Sequence, residues 1–257
     1  MLLTIDIGNT LTCLGVYQGS ALLATLKIES DLYRPQAAFQ HRFVKWLEER
    51  HFNSESLNGC IISSVVPPLG AVWGKIVFET LDIYPKYVSP DYRGNLKLDI
   101  DNPKEVGSDI IADAVGALAK YGPMTVVADL GTASKLILID NEGAFAGLSI
   151  APGVQMSGKA LKEKTAALPE IPLKTPAKAV GKNTEECLLS GIVYGSCFMI
   201  RGLAEQFEKE VGYPLTRVIT GGNAAYCAPL LPSFTHDEYL ILDGLRVIYE
   251  GGFEDER

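Results

Sequence analysis

Leu3-Thr4-Ile5-Asp6-Ile7-Gly8-Asn9-Thr10 and Val126-Val127-Ala128-Asp129-Leu130-Gly131-Thr132-Ala133 decide the fold of this 257-residue chain. Each is an apolar strand-like run that delivers an Asp near its end and turns on a Gly two residues later. That order suits a phosphate and its metal ion. A Gly lets the backbone come close to an anion. The Thr10 or Thr132 hydroxyl and the exposed N–H groups can donate to phosphate oxygens. The carboxylate can hold a hydrated Mg2+, which prefers one or two carboxylates plus phosphate. Taken singly, each Asp is equally well a strand-end residue that opens a turn. Its recurrence in both halves points to phosphate handling and to two related domains facing each other across a nucleotide.

Outward from these runs, residues 2–28 read as a meander of strands at 2–7, 11–17 and 21–28, with a turn at Gly19-Ser20. Residues 34–51 have helical spacing. Cys60–Val65 is a short buried strand, followed by helix at about 69–82 and strand at about 86–89. A helix at about 107–121 stops at Tyr121-Gly122-Pro123. The second half repeats the pattern: strands at 124–130, 133–140 and 143–150, a loop at Ala151-Pro152-Gly153, and helices at 154–164 and 184–210. Thr216–Thr220 is a strand running into Gly221-Gly222, and 239–250 is a final helix. Strands first, then alternating helix and strand, twice over, predicts duplicated α/β domains with mixed sheets, 1–121 and 122–257.

Composition narrows the function. A net charge of −8 with no block of basic residues argues against nucleic acid as a partner. Asp6 interrupts the opening apolar run, and no uninterrupted apolar stretch reaches the ~18 residues of a membrane span. Cys13, Cys60, Cys187, Cys197 and Cys227 include no CxxC pair and read as buried cytoplasmic thiols, not a zinc site or disulfide framework. His41, His51 and His236 have no nucleophile beside them in sequence.

Three further segments carry candidate chemistry. Asp109, in Gly107-Ser108-Asp109, is either an N-cap or first-turn acid favoured by the helix dipole, or a general base for an attacking hydroxyl. Gly181-Lys182-Asn183-Thr184-Glu185-Glu186 is either a helix cap or a helix start that points a hydroxyl and amides at a substrate. Thr220-Gly221-Gly222 is a third strand-to-Gly turn, placed where an adenosine clamp fits.

In order and spacing, these segments together resemble the type III pantothenate kinases of the acetate kinase/Hsp70/actin superfamily, over nearly the whole chain. Asp6–Thr10 resembles the first phosphate motif, Ile62–Pro67 a structural segment, and Asn102–Asp109 the motif bearing the catalytic Asp. Asp129–Ala133 resembles the second phosphate motif, and Gly221-Gly222 the adenosine motif. Ala151–Gly153, Thr165–Pro169, Gly181–Thr184 and Ser190-Gly191 also match.

The resemblance implies two ribonuclease H-like (actin-like ATPase) domains with an interdomain nucleotide cleft, and ATP-dependent phosphorylation of pantothenate, the first step of coenzyme A synthesis. It implies a cytoplasmic homodimer with a small-molecule substrate. It assigns Asp109 as base and Asp6 and Asp129 to Mg2+. Gly8, Asn9, Thr10, Gly131, Thr132, Ala133, Gly221 and Gly222 would serve the nucleotide. Ile100, Gly107, Ser108, Ile110 and Thr184 would line the acceptor, with Thr184 reaching pantothenate from the partner subunit.

The chain departs from that pattern on the acceptor side. Ile110 stands where the family usually has Arg, Ile100 where it often has Tyr, and Asp113 where it often has Asn. Losing a charge-assisted donor costs on the order of 1.5–3 kcal/mol of substrate binding. A kinase for another small hydroxylated acceptor, or a weakly catalytic nucleotide-binding regulator, therefore stays open beside the pantothenate kinase. Lys135 replaces a small hydroxyl residue. It either points to solvent, or contacts phosphate or replaces the monovalent cation, K+ or NH4+, that many family members use.

Overall fold

The structure is a computed structural model and describes residues 1–251. Contacts divide the chain into two compact units. One comprises Met1–Leu96, Asp101–Ala119 and residues 241–251; the other comprises Lys97–Ile100 and Lys120–Leu240.

In the first unit, β1 (Leu2–Ile7), β2 (Leu11–Gln18) and β3 (Ala21–Glu29) form an antiparallel meander. β4 (Gly59–Ser64) and β5 (Lys86–Tyr87) extend it in parallel, giving the order β3-β2-β1-β4-β5. On the covered face of the central strand, Leu3, Ile5 and Ile7 are fully buried. α1 (Gln36–Glu49) and α2 (Pro67–Leu81) supply that cover. Phe39 and Phe43 of α1 each meet Trp73 of α2 with ring centroids 5.8 Å apart, in the range where aromatic pairs add to simple burial. Pro67 and Pro68 open α2, where a missing N–H costs nothing. α3 (Ser108–Tyr121) buries an almost continuous face from Ile110 to Ala117.

The second unit repeats the design. β6 (Thr125–Leu130), β7 (Ala133–Ile139) and β8 (Phe145–Pro152) form the meander, and β9 (Thr216–Thr220) and β10 (Thr235–His236) add in parallel. Its order, β8-β7-β6-β9-β10, is the order of the first sheet strand for strand. α4 (Val154–Lys164) follows the meander. α5 (Thr184–Leu189), a π-helical turn at Ser190–Tyr194 and α6 (Gly195–Val211) run on as one 28-residue helix. Among the described residues it is the one helix long and apolar enough by composition to cross a membrane. Its apolar side has an occupant in this fold: Leu188, Ile192, Val193, Cys197, Ile200 and Ala204 belong to the core of the second unit.

The elements depart from expectation in a few places. The loop expected at Ala151–Gly153 is strand as far as Pro152, because Pro152 and Ala151 pair with Ala133 and Ser134. The two-residue β10 and the four-residue α7 (Ala224–Cys227) are too short to leave a periodic signal. Of the five free thiols, Cys187 is exposed and Cys13 half-buried, so burial holds for Cys60, Cys197 and Cys227. The last helix, α8 (Leu240–Glu250), belongs to the first unit from Ile241 onward: Tyr17 Oη donates to Asp243 Oδ1 at 2.9 Å.

Candidate active site

Asp6 is the fifth residue of β1, with Cys13 of β2 and Ser63 of β4 as its register neighbours. The chain then turns tightly. Gly8 N–H donates to Leu11 O at 3.0 Å. A Cβ on Gly8 would sit 3.1 Å from that carbonyl, a squeeze that glycine avoids. Asn9 and Thr10 follow, both exposed, so the turn displays its polar groups to solvent.

Asp109 lies in the first turn of α3, and Ser108 decides where that turn stands. The buried Ser108 Oγ accepts from Ser63 Oγ–H at 3.1 Å and from Ser64 N–H at 3.0 Å. The start of α3 is thereby pinned to the end of β4, the strand beside Asp6. Asp109 Oδ1 accepts from Ile110 N–H at 2.8 Å. It can fold back this way because Gly107 has no side chain; a Cβ there would lie 2.6 Å from Oδ1. The first-turn role open from sequence is therefore realised, and the half-buried carboxylate is held at the helix N-terminus, where the dipole favours the anion. Ile110 is 9% exposed and Asp113, one turn along α3 from Asp109, is 1% exposed.

The second unit assembles a separate group. Asp129 is the fifth residue of β6, with Lys135 of β7 and Thr220 of β9 as register neighbours. Lys135 Nζ lies 2.6 Å from Asp129 Oδ2, and each side chain is 12% exposed. Lys135 does not point to solvent. Gly221 has φ +92°, and a Cβ there would overlap Asp129 Oδ1. Asn223 ties the two turns together: its N–H donates to Leu130 O and its Nδ2 to Gly131 O, both at 2.9 Å. Gly153, just before α4, packs backbone to backbone on Thr132 so closely that any Cβ would overlap the Thr132 carbonyl. Gly131, Gly153 and Gly221 thus converge on one turn, with Thr132 exposed at its tip.

Asn223, Gly153 and Ser63 were not singled out as site residues from sequence. For Asn223 the signal was present: it follows Gly221-Gly222 directly.

Thr184 is exposed in the first turn of α5. Asn183 caps that helix, its Oδ1 accepting from Glu186 N–H at 2.9 Å. The Glu186 carboxylate accepts from Lys182 N–H at 2.8 Å, a bond that holds it below the usual carboxylate range. Ile100 is half-buried in the second unit, at the end of the Lys97–Ile100 segment.

The chain and its fold have known counterparts. The family model of the type III pantothenate kinases matches residues 2–206. A type III pantothenate kinase from an Exiguobacterium species is 34% identical over 251 residues, 97% of this chain and 98% of the relative. Among solved structures, a Campylobacter jejuni protein described as a Baf family transcriptional activator superposes with a TM-score of 0.61 at 18% identity, covering 96% and 97% of the two chains. Component A of (R)-2-hydroxyglutaryl-CoA dehydratase from Acidaminococcus fermentans gives 0.53 at 14% identity, covering 97% and 98%. The two like-ordered mixed sheets are duplicated ribonuclease H-like domains of the actin-like ATPase fold. With the family model spanning most of its length and a relative matched from end to end, the chain belongs to the type III pantothenate kinase family.

Proposed function

We propose that this chain is a kinase that transfers the terminal phosphoryl group of ATP to the hydroxyl of pantothenate, giving 4'-phosphopantothenate, the first step of coenzyme A biosynthesis. The observation that carries the mechanism is the pinning of Asp109. Ser108 fixes the first turn of α3 against Ser63 and Ser64, so the carboxylate is held in place before substrate arrives. Phosphoryl transfer needs chiefly positioning and charge neutralisation, plus a group that accepts the proton of the attacking hydroxyl. Asp109 takes that proton. The Asn9-Thr10 turn and the Gly131-Thr132-Ala133 turn donate to phosphate oxygens, and Gly221-Gly222 serves the adenosine side. Gly107, Ile100, Ile110 and Thr184 serve the acceptor.

Mg2+, when bound, neutralises charge that develops on the phosphates. Among the described residues, no group of three or more His, Cys, Asp or Glu side chains is assembled to cage an ion. That suits Mg2+, which keeps several waters and uses one or two carboxylates plus phosphate. Asp6 is the carboxylate that fits. Asp129, the other one implied, already has Lys135 at 2.6 Å. The monovalent cation, K+ or NH4+, belongs to the same proposal, as do a two-domain division of labour on either side of residue 121, a cytoplasmic setting and a homodimer.

A second reading is favoured by one feature. Ile110 puts a buried aliphatic group where the family usually offers a guanidinium, so an acceptor without a carboxylate is a candidate. ADP release with ATP, Mg2+ and pantothenate separates the two. Acceptor-dependent turnover with pantothenate is the expected result. Turnover only with uncharged hydroxylated acceptors would move the activity to the second reading, and ATP binding with no acceptor-dependent turnover would leave a nucleotide-binding regulator.

A further inference from the structure

The duplication supplies an internal comparison. Asp6 and Asp129 are both the fifth residue of a six-residue first strand, in sheets of the same order. Across the parallel pair, Asp6 faces Ser63 and Asp129 faces Thr220, a hydroxyl in both cases. Across the antiparallel pair the two differ: Asp6 faces Cys13, and Asp129 faces Lys135. The residue directly opposite the carboxylate is a thiol in one half and a cation in the other.

The position of that pair matters. A Cβ built on Gly131 would lie 3.7 and 3.8 Å from the two Asp129 carboxylate oxygens, and one on Gly221 would overlap Oδ1. The carboxylate stands immediately beneath both glycine turns. Left unbalanced, a largely buried anion there would repel any phosphate brought to those amides, and low dielectric would strengthen the repulsion. With Lys135 Nζ at 2.6 Å the pair is close to neutral, and the amides and the ammonium set the local potential. The same ammonium disfavours a divalent ion on Asp129, because the ion would have to approach a like charge held against its own ligand.

We propose that Lys135 is the built-in counter-charge of the second phosphate turn: it neutralises Asp129 and disfavours a divalent ion there. This inference rests on the reading that the chain binds ATP.

The test is calorimetric binding of ADP at constant ionic strength, in EDTA and in Mg2+, with thermal unfolding alongside. The proteins are wild type, Lys135→Met, Asp129→Asn and the double variant. In EDTA, Lys135→Met weakens ADP binding about tenfold or more, because it leaves the carboxylate unpaired. Asp129→Asn binds ADP at least as tightly as wild type, and the neutral double variant stays within about threefold of wild type. The gain in ADP affinity from Mg2+ is the same in Asp129→Asn as in wild type. Folded Lys135→Met binding ADP like wild type would overturn the proposal, as would loss of the Mg2+ gain in Asp129→Asn. Should Lys135→Met not fold, Asp129→Asn and the double variant decide: weaker ADP binding in either one overturns it. Wild type that binds no ADP would sink the ATP-binding reading itself, which is a distinguishable failure.

Discussion

Asp109 does two jobs that one substitution can separate. Its Oδ1 accepts from Ile110 N–H, which an Asn carbonyl would also do. The proton acceptor is lost in Asp109→Asn. Acceptor-dependent ADP release is expected to fall about 10²–10⁴-fold, while the unfolding temperature moves little because the bond from Ile110 N–H survives. Asp109→Ala removes both roles and costs about 1 kcal/mol more in stability. Asp109→Asn with more than a tenth of wild-type turnover would exclude the base role. At this scale the sequence was partly legible. Asp6, Asp109 and Asp129 announce themselves as acids at strand or helix ends. The partner of Asp129 does not, because strand register depends on the length of the intervening turn. The three residues Gly131-Thr132-Ala133 between the last paired positions set Leu130 opposite Ser134, and so Asp129 opposite Lys135.

Single polar groups hold whole elements in place. Ser108 is the acceptor for two donors at the end of β4, both in low-exposure surroundings. Ser108→Ala strands the Ser64 N–H and the Ser63 hydroxyl and is expected to cost about 1–3 kcal/mol. Chemical denaturation measures that loss; a change under 0.5 kcal/mol would mean that α3 is anchored by its apolar face alone. In the second unit, Glu208 near the end of α6 receives Arg217 Nε at 3.1 Å, Arg217 Nη2 at 2.7 Å and Leu215 N–H at 3.2 Å, stapling the helix to the start of β9. The Arg217 hydrogen bonds hold the Glu208 carboxyl below its usual range. The ionised form is the one the fold favours, so its stabilisation is present above the unfolded pKa of about 4.3 and is lost as pH falls through the depressed folded value. Glu208→Gln should therefore be less stable than wild type at pH 7 by about 1 kcal/mol, and the two should converge as acid protonates Glu208. An equal gap at every pH would assign the staple to packing instead. Long elements such as the meanders were readable because alternation and turn residues repeat over many positions. The π turn at Ser190–Tyr194 lies inside an unbroken helical pattern and leaves no period of its own.

At the scale of the molecule, the sequence shows the duplication but not where the chain's last helix goes. A division at 121/122 follows from the Tyr121-Gly122-Pro123 stop. Residues 241–251 pack with the first unit, through pairings more than two hundred residues apart, such as Tyr17 with Asp243. No local pattern can encode a closure of that length. What permits it is a small residue: a Cβ on Gly244 would fall on the Ala112 carbonyl of α3 and lie 3.0 Å from Gly116 N. The backbones of α3 and α8 are in direct contact there, so Gly244→Ala forces two helices of the first unit apart. It should destabilise by about 1–3 kcal/mol or more, a fall of roughly 2–4 °C in unfolding temperature per kcal/mol for a chain of this size. Gly202→Ala is the control, since Gly202 is exposed in the interior of α6 and a methyl group there would meet nothing within 4 Å. There the substitution should stabilise by about 0.5–1 kcal/mol, because Ala loses less backbone freedom than Gly in a helix. Opposite signs for two identical chemical changes would show that α8 is an integral part of the first unit. If Gly244→Ala behaved like Gly202→Ala, α8 would be an appendage lying on that unit, and the first sheet would owe none of its stability to the end of the chain.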